Sequence, residues 1–259
     1  MKRMIVKVGT GNLLVPPRTG RLDMKPFCDI AAQVSRCVEK GIEICLVSSG
    51  AIKSGRDLVE NSNRRQFALS RKALAGVGAH PLLDRWTTAF KEHSQVIAQI
   101  LVTYANWLDP NERESIRTSI LEYMTVGIVP VINENDVVAQ DEVLSMEKGI
   151  SENDRLTRMT ATLIGADGVL FLTDAGGVFD RDPSEAGAQK LDFVGPDDLA
   201  SLKPCEGKSA CGTGGILPKV GEASLCAKAG IRAAIAGLEP DVITRFAAGE
   251  HVGTIVVNE

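Results

Sequence analysis

Histidine is scarce in this chain. The three present among 259 residues, His80, His93 and His251, have no carboxylate or cysteine neighbour at ligand spacing. Chemistry built on several imidazole ligands is therefore nearly excluded. Cysteine pairing is also missing. Cys28, Cys37, Cys45, Cys205, Cys211 and Cys226 include no Cys-x-x-Cys pair, and most fall inside apolar segments. They read as buried small hydrophobes in a reducing cytosol, not as a metal site. There is no basic surplus: 29 Lys and Arg stand against 33 Asp and Glu, a net charge of −4. That argues against an electrostatic nucleic-acid footprint. No window approaches the ~18 consecutive apolar residues of a membrane span. The N-terminal apolar stretch is broken by Lys7, so it does not read as a signal peptide. Aromatics make up only 4%, and Trp86 and Trp107 read as packing residues.

What is present is ordinary globular material, 44% apolar and 24% charged. A chain of this length can bury roughly 75% of its unfolded surface, so it needs no metal or disulfide staple. Short apolar runs alternate with helical spacing from end to end. Met4 to Val8, Ile42 to Val47, Val96 to Val102, Ile128 to Ile132, Val169 to Leu172, 232–236 and 253–257 read as strands. Pro130 counts against the fourth of these, since proline removes a ladder donor. Residues 25–40, 111–126, 219–229 and 240–248 read as helices. The alternation predicts an α/β, three-layer sandwich with a central, mainly parallel sheet. The stretches 137–152 and 203–215 read as irregular.

In open α/β sheets, ligands sit beyond the carboxyl ends of the strands. Four such ends carry glycine-rich or acidic-amide segments: Lys7-Val8-Gly9-Thr10-Gly11-Asn12, Ser48-Ser49-Gly50-Ala51, Asn133-Glu134-Asn135-Asp136 and Thr173-Asp174-Ala175-Gly176-Gly177. Each alone reads equally as a turn, and Ser49 equally as a helix cap. Together they point at one face of one sheet. Lys7 is unusual because it interrupts an apolar strand. Glycines there would let backbone N–H groups approach a phosphate beside its ammonium. Thr213-Gly214-Gly215-Ile216-Leu217-Pro218-Lys219 is a glycine loop leading into a helix. It could close over a nucleotide and deliver Lys219 to the phosphates; the alternative is a plain surface loop. Asn153 and Asp154 read either as polar-head contacts or as caps of a helix beginning near Arg155.

These segments, in this order, resemble the amino-acid kinase family, and within it the glutamate kinase branch. The resemblance rests on Lys7-Val8-Gly9-Thr10, Ser48-Ser49-Gly50-Ala51, Val129 to Asp136, Asn153-Asp154-x-Leu156, Leu172-Thr173-Asp174-x-x-Gly177, Asp182-Pro183 and Gly212-Thr213-Gly214-Gly215-x-x-x-Lys219. It implies phosphorylation of the side-chain carboxylate of L-glutamate by ATP, with Mg²⁺ bridging the phosphates and no protein metal ligand. It implies Lys7 and Lys219 on the transferring phosphoryl group, with Asp154 organising both. Ser49, Gly50, Asp136 and Asn153 would hold glutamate. Gly9, Thr173, Asp174, Thr213, Gly214 and Gly215, with the two lysines, would hold the nucleotide.

The resemblance further implies one kinase domain over 1–259, with a substrate-side lobe at about 1–165 and a nucleotide-side lobe at about 166–259. A cytoplasmic homo-oligomer is expected, with a glutamyl-phosphate reductase as candidate partner and no contact with nucleic acid or membrane. The chain ends at Glu259, so the form expected is the short one, without the PUA domain many relatives carry. It departs from the family at Ala79, His80 and Pro81, which follow Gly78 where Gly-Gln is usual, at Glu152 for Asp, and at Pro218 for a small hydroxyl residue. The alternatives are another acceptor on the same fold (acetylglutamate, aspartate, a nucleotide or isopentenyl phosphate) or a nonenzymatic ligand sensor. The scarcity of histidine is no obstacle to carboxylate phosphorylation, because a glutamate side chain (pKa about 4.3) is already ionised at neutral pH and needs no general base.

Overall fold

A computed structural model of the chain describes residues 1–14, 21–62, 68–139, 152–195, 198 and 215–258. Its centre is a sheet built from β1 (Arg3–Val8), β2 (Glu43–Ser48), β3 (Ile97–Val102), β4 (Val129–Glu134), β5 (Gly168–Leu172), β6 (Phe193–Val194), β7 (Arg232–Ala236) and β8 (Thr254–Val256). Their order across the sheet is β3-β4-β2-β1-β5-β7-β8-β6. All neighbours run parallel except β7 and β8. The five-residue run Gly168–Leu172 is fully buried, as a parallel strand covered on both faces must be.

The pleat of β1 separates two cores. Met4, Val6 and Val8 join one cluster with Phe27, Ile30 and Val34 of α1 (Met24–Glu39), Leu82, Trp86 and Phe90 of α3 (Arg71–Lys91), and Phe246 of α8 (Val242–Ala247). Ile5 joins the other. That second cluster takes Trp107 of α4 (Tyr104–Leu108), Ile120 of α5 (Pro110–Thr125), Leu156 and Ala161 of α6 (Glu152–Ile164), and Val220 and Ala223 of α7 (Ile216–Lys228). Helix layers thus cover both faces, giving the three-layer α/β sandwich. Strand periodicity places Lys7 on the Ile5 side, under α6 and α7. Trp86 is a packing residue as expected: its ring meets Phe27 edge-on at 4.5 Å and its Nε1 donates to Ser48 Oγ.

Pro130 lies inside β4, between two neighbouring strands. Toward β3 the register includes Ala98 opposite Pro130, whereas the ladder to β2 begins only at Val131. The missing donor therefore costs little where it faces. The helix that the Ser49-Gly50-Ala51 turn leads into is α2 (Ala51–Glu60), whereas hydrophobic periodicity does not mark α3. Their crossing is backbone on backbone: a Cβ added to Gly78 would lie 1.9 Å from Ala51 O, and one added to Gly55 would lie 1.9 Å from Leu74 O. Small residues make that contact, so hydrophobic spacing does not reveal it. Gly78 is thus a packing glycine, with Ala79 half-buried and His80 exposed.

Candidate active site

Lys7 sits at the carboxyl end of β1, in register with Val47 on one side and Phe171 on the other. It is 4% exposed. Its Nζ lies 2.7 Å from Asp154 Oδ1. Asp154 lies in the first turn of α6, where a carboxylate suits the helix dipole. Lys219 stands in the first turn of α7 and donates to both oxygens of the same carboxylate, at 3.0 and 2.9 Å. Its Nζ also lies 5.8 Å from the centre of the Phe171 ring. Three residues distant in sequence thus form one buried cluster with two ammonium groups and one carboxylate.

The electrostatics follow from that count. Burial pushes the Lys219 ammonium down to about 8, the neighbouring Lys7 charge adds to the fall, and Asp154 only partly opposes it. Burial would raise the Asp154 carboxyl, but the Lys7 and Lys219 charges outweigh it and hold it below the ordinary carboxylate range. Two cations against one anion leave a surplus positive charge in a poorly solvated place. Such an arrangement can receive an anion.

The β1 loop shapes the space beside it. A methyl on Gly9 would sit 3.4 Å from Leu172 O, 3.5 Å from Asn12 Nδ2 and 3.8 Å from Lys7 Nζ. Gly9 therefore leaves open the volume beside two donors, Asn12 Nδ2 and Lys7 Nζ, and the Leu172 carbonyl. Asn12 Nδ2 is buried and lacks a partner among the described residues. A Cβ on Gly11 would come within 2.8 Å of Asp174 Oδ2, so this loop and the end of β5 pack closely. Thr173 is buried there, its N–H donating to Ala236 O at 2.8 Å and its hydroxyl to Asp174 Oδ1 at 3.4 Å.

A second constellation lies at the ends of β2 and β4. Asn153 Nδ2 donates to Ser49 Oγ at 2.9 Å and to Asn133 Oδ1 at 3.1 Å. Asn153 Oδ1 is buried without a partner among the described residues. Ser49 is not the cap of α2; that place belongs to Gly50, whose φ of 120° suits glycine alone. Asn153 and Asp154 do not cap a helix starting near Arg155 either, because α6 begins at Glu152 and both fall within its first turn. Asp136 is half-buried in the turn after β4. Gly215 caps α7, and Pro218 occupies its first turn, where no N–H is needed. Thr213, Gly214, Cys205 and Cys211 lie outside the described residues, as do most of 137–152 and nearly all of 203–215.

Asn12 lies beside the Lys7 cluster and Asn133 bonds Asn153, and the sequence carries both only inside longer segments. Asn12 could have been found as the amide one turn beyond the first loop glycine. Asn133 carries no separate signal, since only the fold turns it toward Asn153. His80, His93 and His251 are all exposed. Among the described residues no group of three or more His, Cys, Asp or Glu is arranged to hold a metal. An Mg²⁺ ion held by phosphates and water needs no such group. No helix among the described residues is long and apolar enough to cross a membrane.

Comparison with known proteins gives the same direction. The model of the amino acid kinase family matches residues 2–237. A glutamate 5-kinase of Symbiobacterium thermophilum is 33% identical over 260 residues, spanning 100% of this chain and 97% of that protein. A glutamate 5-kinase of Burkholderia multivorans is 36% identical, spanning 99% of this chain and 68% of that one. Among solved structures, a UMP kinase from Bacillus anthracis superposes with a TM-score of 0.66 at 16% identity, over 100% of this chain and 96% of its own. An isopentenyl phosphate kinase gives 0.67 at 19%, over 98% and 100%. At that identity the two structures speak for the fold alone.

Proposed function

The chain belongs to the amino acid kinase family, and from that premise we propose that it transfers the γ-phosphoryl group of ATP to the side-chain carboxylate of L-glutamate, giving L-glutamyl 5-phosphate for proline biosynthesis. The observation that carries the reading is the pair of buried ammonium groups, Lys7 and Lys219, meeting on Asp154 at the rim of a parallel sheet. In phosphoryl transfer the protein contributes chiefly positioning and charge neutralisation. A surplus cation in a poorly solvated pocket supplies the second.

In this reading Lys7 and Lys219 neutralise the equatorial oxygens of the moving group, and Asp154 keeps the two ammonium groups from repelling each other apart. Asn12 Nδ2, buried and unpartnered, donates to one of those oxygens across the gap that Gly9 leaves. The acceptor oxygen is already anionic and attacks phosphorus in line, while the bridging oxygen leaves with ADP. Ser49, Gly50, Asn153 and Asp136 hold the amino acid, with Asn153 Oδ1 available to accept from its ammonium group. Thr173, Asp174 and the loop 213–215 hold the nucleotide. A Mg²⁺ ion bound with the nucleotide would supply further charge neutralisation and would need no cluster of protein ligands. Residues of about 1–165 serve chiefly the acceptor and those of about 166–259 chiefly the nucleotide, with Lys7, Gly9 and Asn12 reaching the phosphoryl group from the first part.

The test is ADP release across a panel of acceptors: L-glutamate, N-acetylglutamate, aspartate, UMP and isopentenyl phosphate. Hydroxylamine trapping would separate an acyl phosphate from simple ATP hydrolysis. Turnover with glutamate, trapped as the hydroxamate, is the expected result. Turnover with another acceptor while glutamate stays silent would replace the proposal.

A further inference from the structure

Helices α6 and α7 are joined at two levels. The first is Asp154 with Lys219. One turn along both helices, Arg158 Nε lies 2.5 Å from Glu222 Oε2, with the Glu222 side chain 5% exposed and that of Arg158 26%. Arg158 follows Asp154 by four residues and Glu222 follows Lys219 by three, so each pair of positions shares a helix face. The signs alternate: negative then positive along α6, positive then negative along α7. Sliding or rotating either helix would break both rungs together.

Val220, Ala223 and Cys226 seat α7 on the sheet, but packing between α6 and α7 is less decisive for their relative depth and rotation. Thr157, Thr160 and Ala161 on α6, and Ala223 and Ser224 on α7, are buried and short. Short side chains make shallow ridges, which resist sliding weakly. Lys219 also sits where a cation is unwelcome, in the first turn of a helix and out of water. Cys226, one turn beyond Glu222, is a buried thiol pushed up to about 12, chiefly by burial. The second rung therefore lies against apolar interior.

We propose that Arg158 and Glu222 are positioning residues that lock α7 in depth and rotation against α6, and so hold Lys219 Nζ on Asp154 and aimed at the phosphoryl group. Neither acts on the reacting atoms. The inference rests on the transfer role given to Lys219 above, and its test separates the two. Glu222→Gln lowers kcat about 10- to 100-fold, as expected for a misplaced catalytic group, with the KM for the acceptor within about twofold of wild type. Arg158→Lys keeps the charge and stays within about threefold. Arg158→Met strands a buried carboxylate and lowers Tm most. The double variant Arg158→Met/Glu222→Gln recovers much of that Tm but none of the kcat, whereas a purely structural pair would regain both.

A second readout does not need turnover. The pH dependence of Lys219 acylation, followed by peptide mass spectrometry, reports its pKa as about 8 in the wild type and moving toward the ordinary 10.5 in Glu222→Gln as the ammonium escapes burial. Wild-type protein inactive with glutamate, but showing this shift, would remove the functional proposal and leave the coupling intact. A Lys219 pKa unmoved by Glu222→Gln, or a double variant whose kcat returns with its Tm, overturns the positioning role.

Discussion

Asp154→Asn removes a charge and almost nothing of the side chain's size. In the native protein that carboxylate is 1% exposed and holds two ammonium groups at 2.7–3.0 Å. Without it, two cations face each other in the interior with only a neutral amide between them. Removing one member of a buried ionic cluster costs about 3–5 kcal/mol. At roughly 2–4 °C per kcal/mol for a chain of this size, Tm should fall by roughly 6–20 °C at pH 7. The penalty has a relief valve. Lys219 already has a pKa lowered to about 8, and Asp154 is what props it up. The variant's Lys219 should therefore titrate lower still and shed its proton sooner.

A lysine whose folded pKa lies below its unfolded value destabilises the fold while protonated, and the cost is relieved as pH rises from the folded value toward 10.5. The deficit of Asp154→Asn against wild type should accordingly shrink between pH 7 and pH 9.5. Added inorganic phosphate, by occupying the uncompensated cations, should raise the variant's Tm more than the wild type's. Melts followed by circular dichroism at both pH values, with and without phosphate, give all three numbers. A variant with wild-type Tm at pH 7, or a deficit that grows with pH, would refute the account of this cluster.

Three further outcomes are expected. Lys7→Ala should lower kcat about 10²- to 10³-fold, as for removal of one preorganised electrostatic donor; steady-state ADP release measures it, and an unchanged kcat removes Lys7 from the chemistry. The kcat/KM profile should fall on its basic side near pH 8, where Lys219 loses its proton, and the corresponding limb in kcat should lie higher because bound phosphate stabilises the ammonium; coincident limbs would speak against contact between Lys219 and the nucleotide. Gly78→Ala, whose Cβ would lie 1.9 Å from Ala51 O, should cost about 1–3 kcal/mol or more through forced helix separation, and a melt at wild-type temperature would show that the α2–α3 crossing gives way easily.

Much of this was legible in sequence because strand ends announce themselves. Lys7 in an otherwise apolar strand is a costly residue unless something pays it back in charge, and the pleat then dictates which helix layer it meets. The strands themselves were found within a residue or two, apart from the two-residue β6. What escaped was contact made by small residues. Helix α3 buries Ala75, Gly78 and Ala89 beside its larger side chains and carries Pro81 inside, so its apolar stripe is blurred. The partners of Asn153 were also hidden, because Asn133 and Ser49 are 20 and 104 residues away and meet it only through strand order. The Arg158–Glu222 rung was invisible for the same reason: 64 residues separate two charges that each look solvated alone.

The Gly55–Gly78 crossing sets how the Ser49–Gly50 end of the sheet can move. With no side chain at the contact, the two helix axes lie closer than any bulkier pair would permit, and the next residue on either side carries a Cβ. The junction can tilt about that point but cannot shear past it by a fraction of a turn. In the proposed reading, opening of this wall to an acceptor comes as a pivot of α2 and α3 together about that contact, not as a spreading of the two helices.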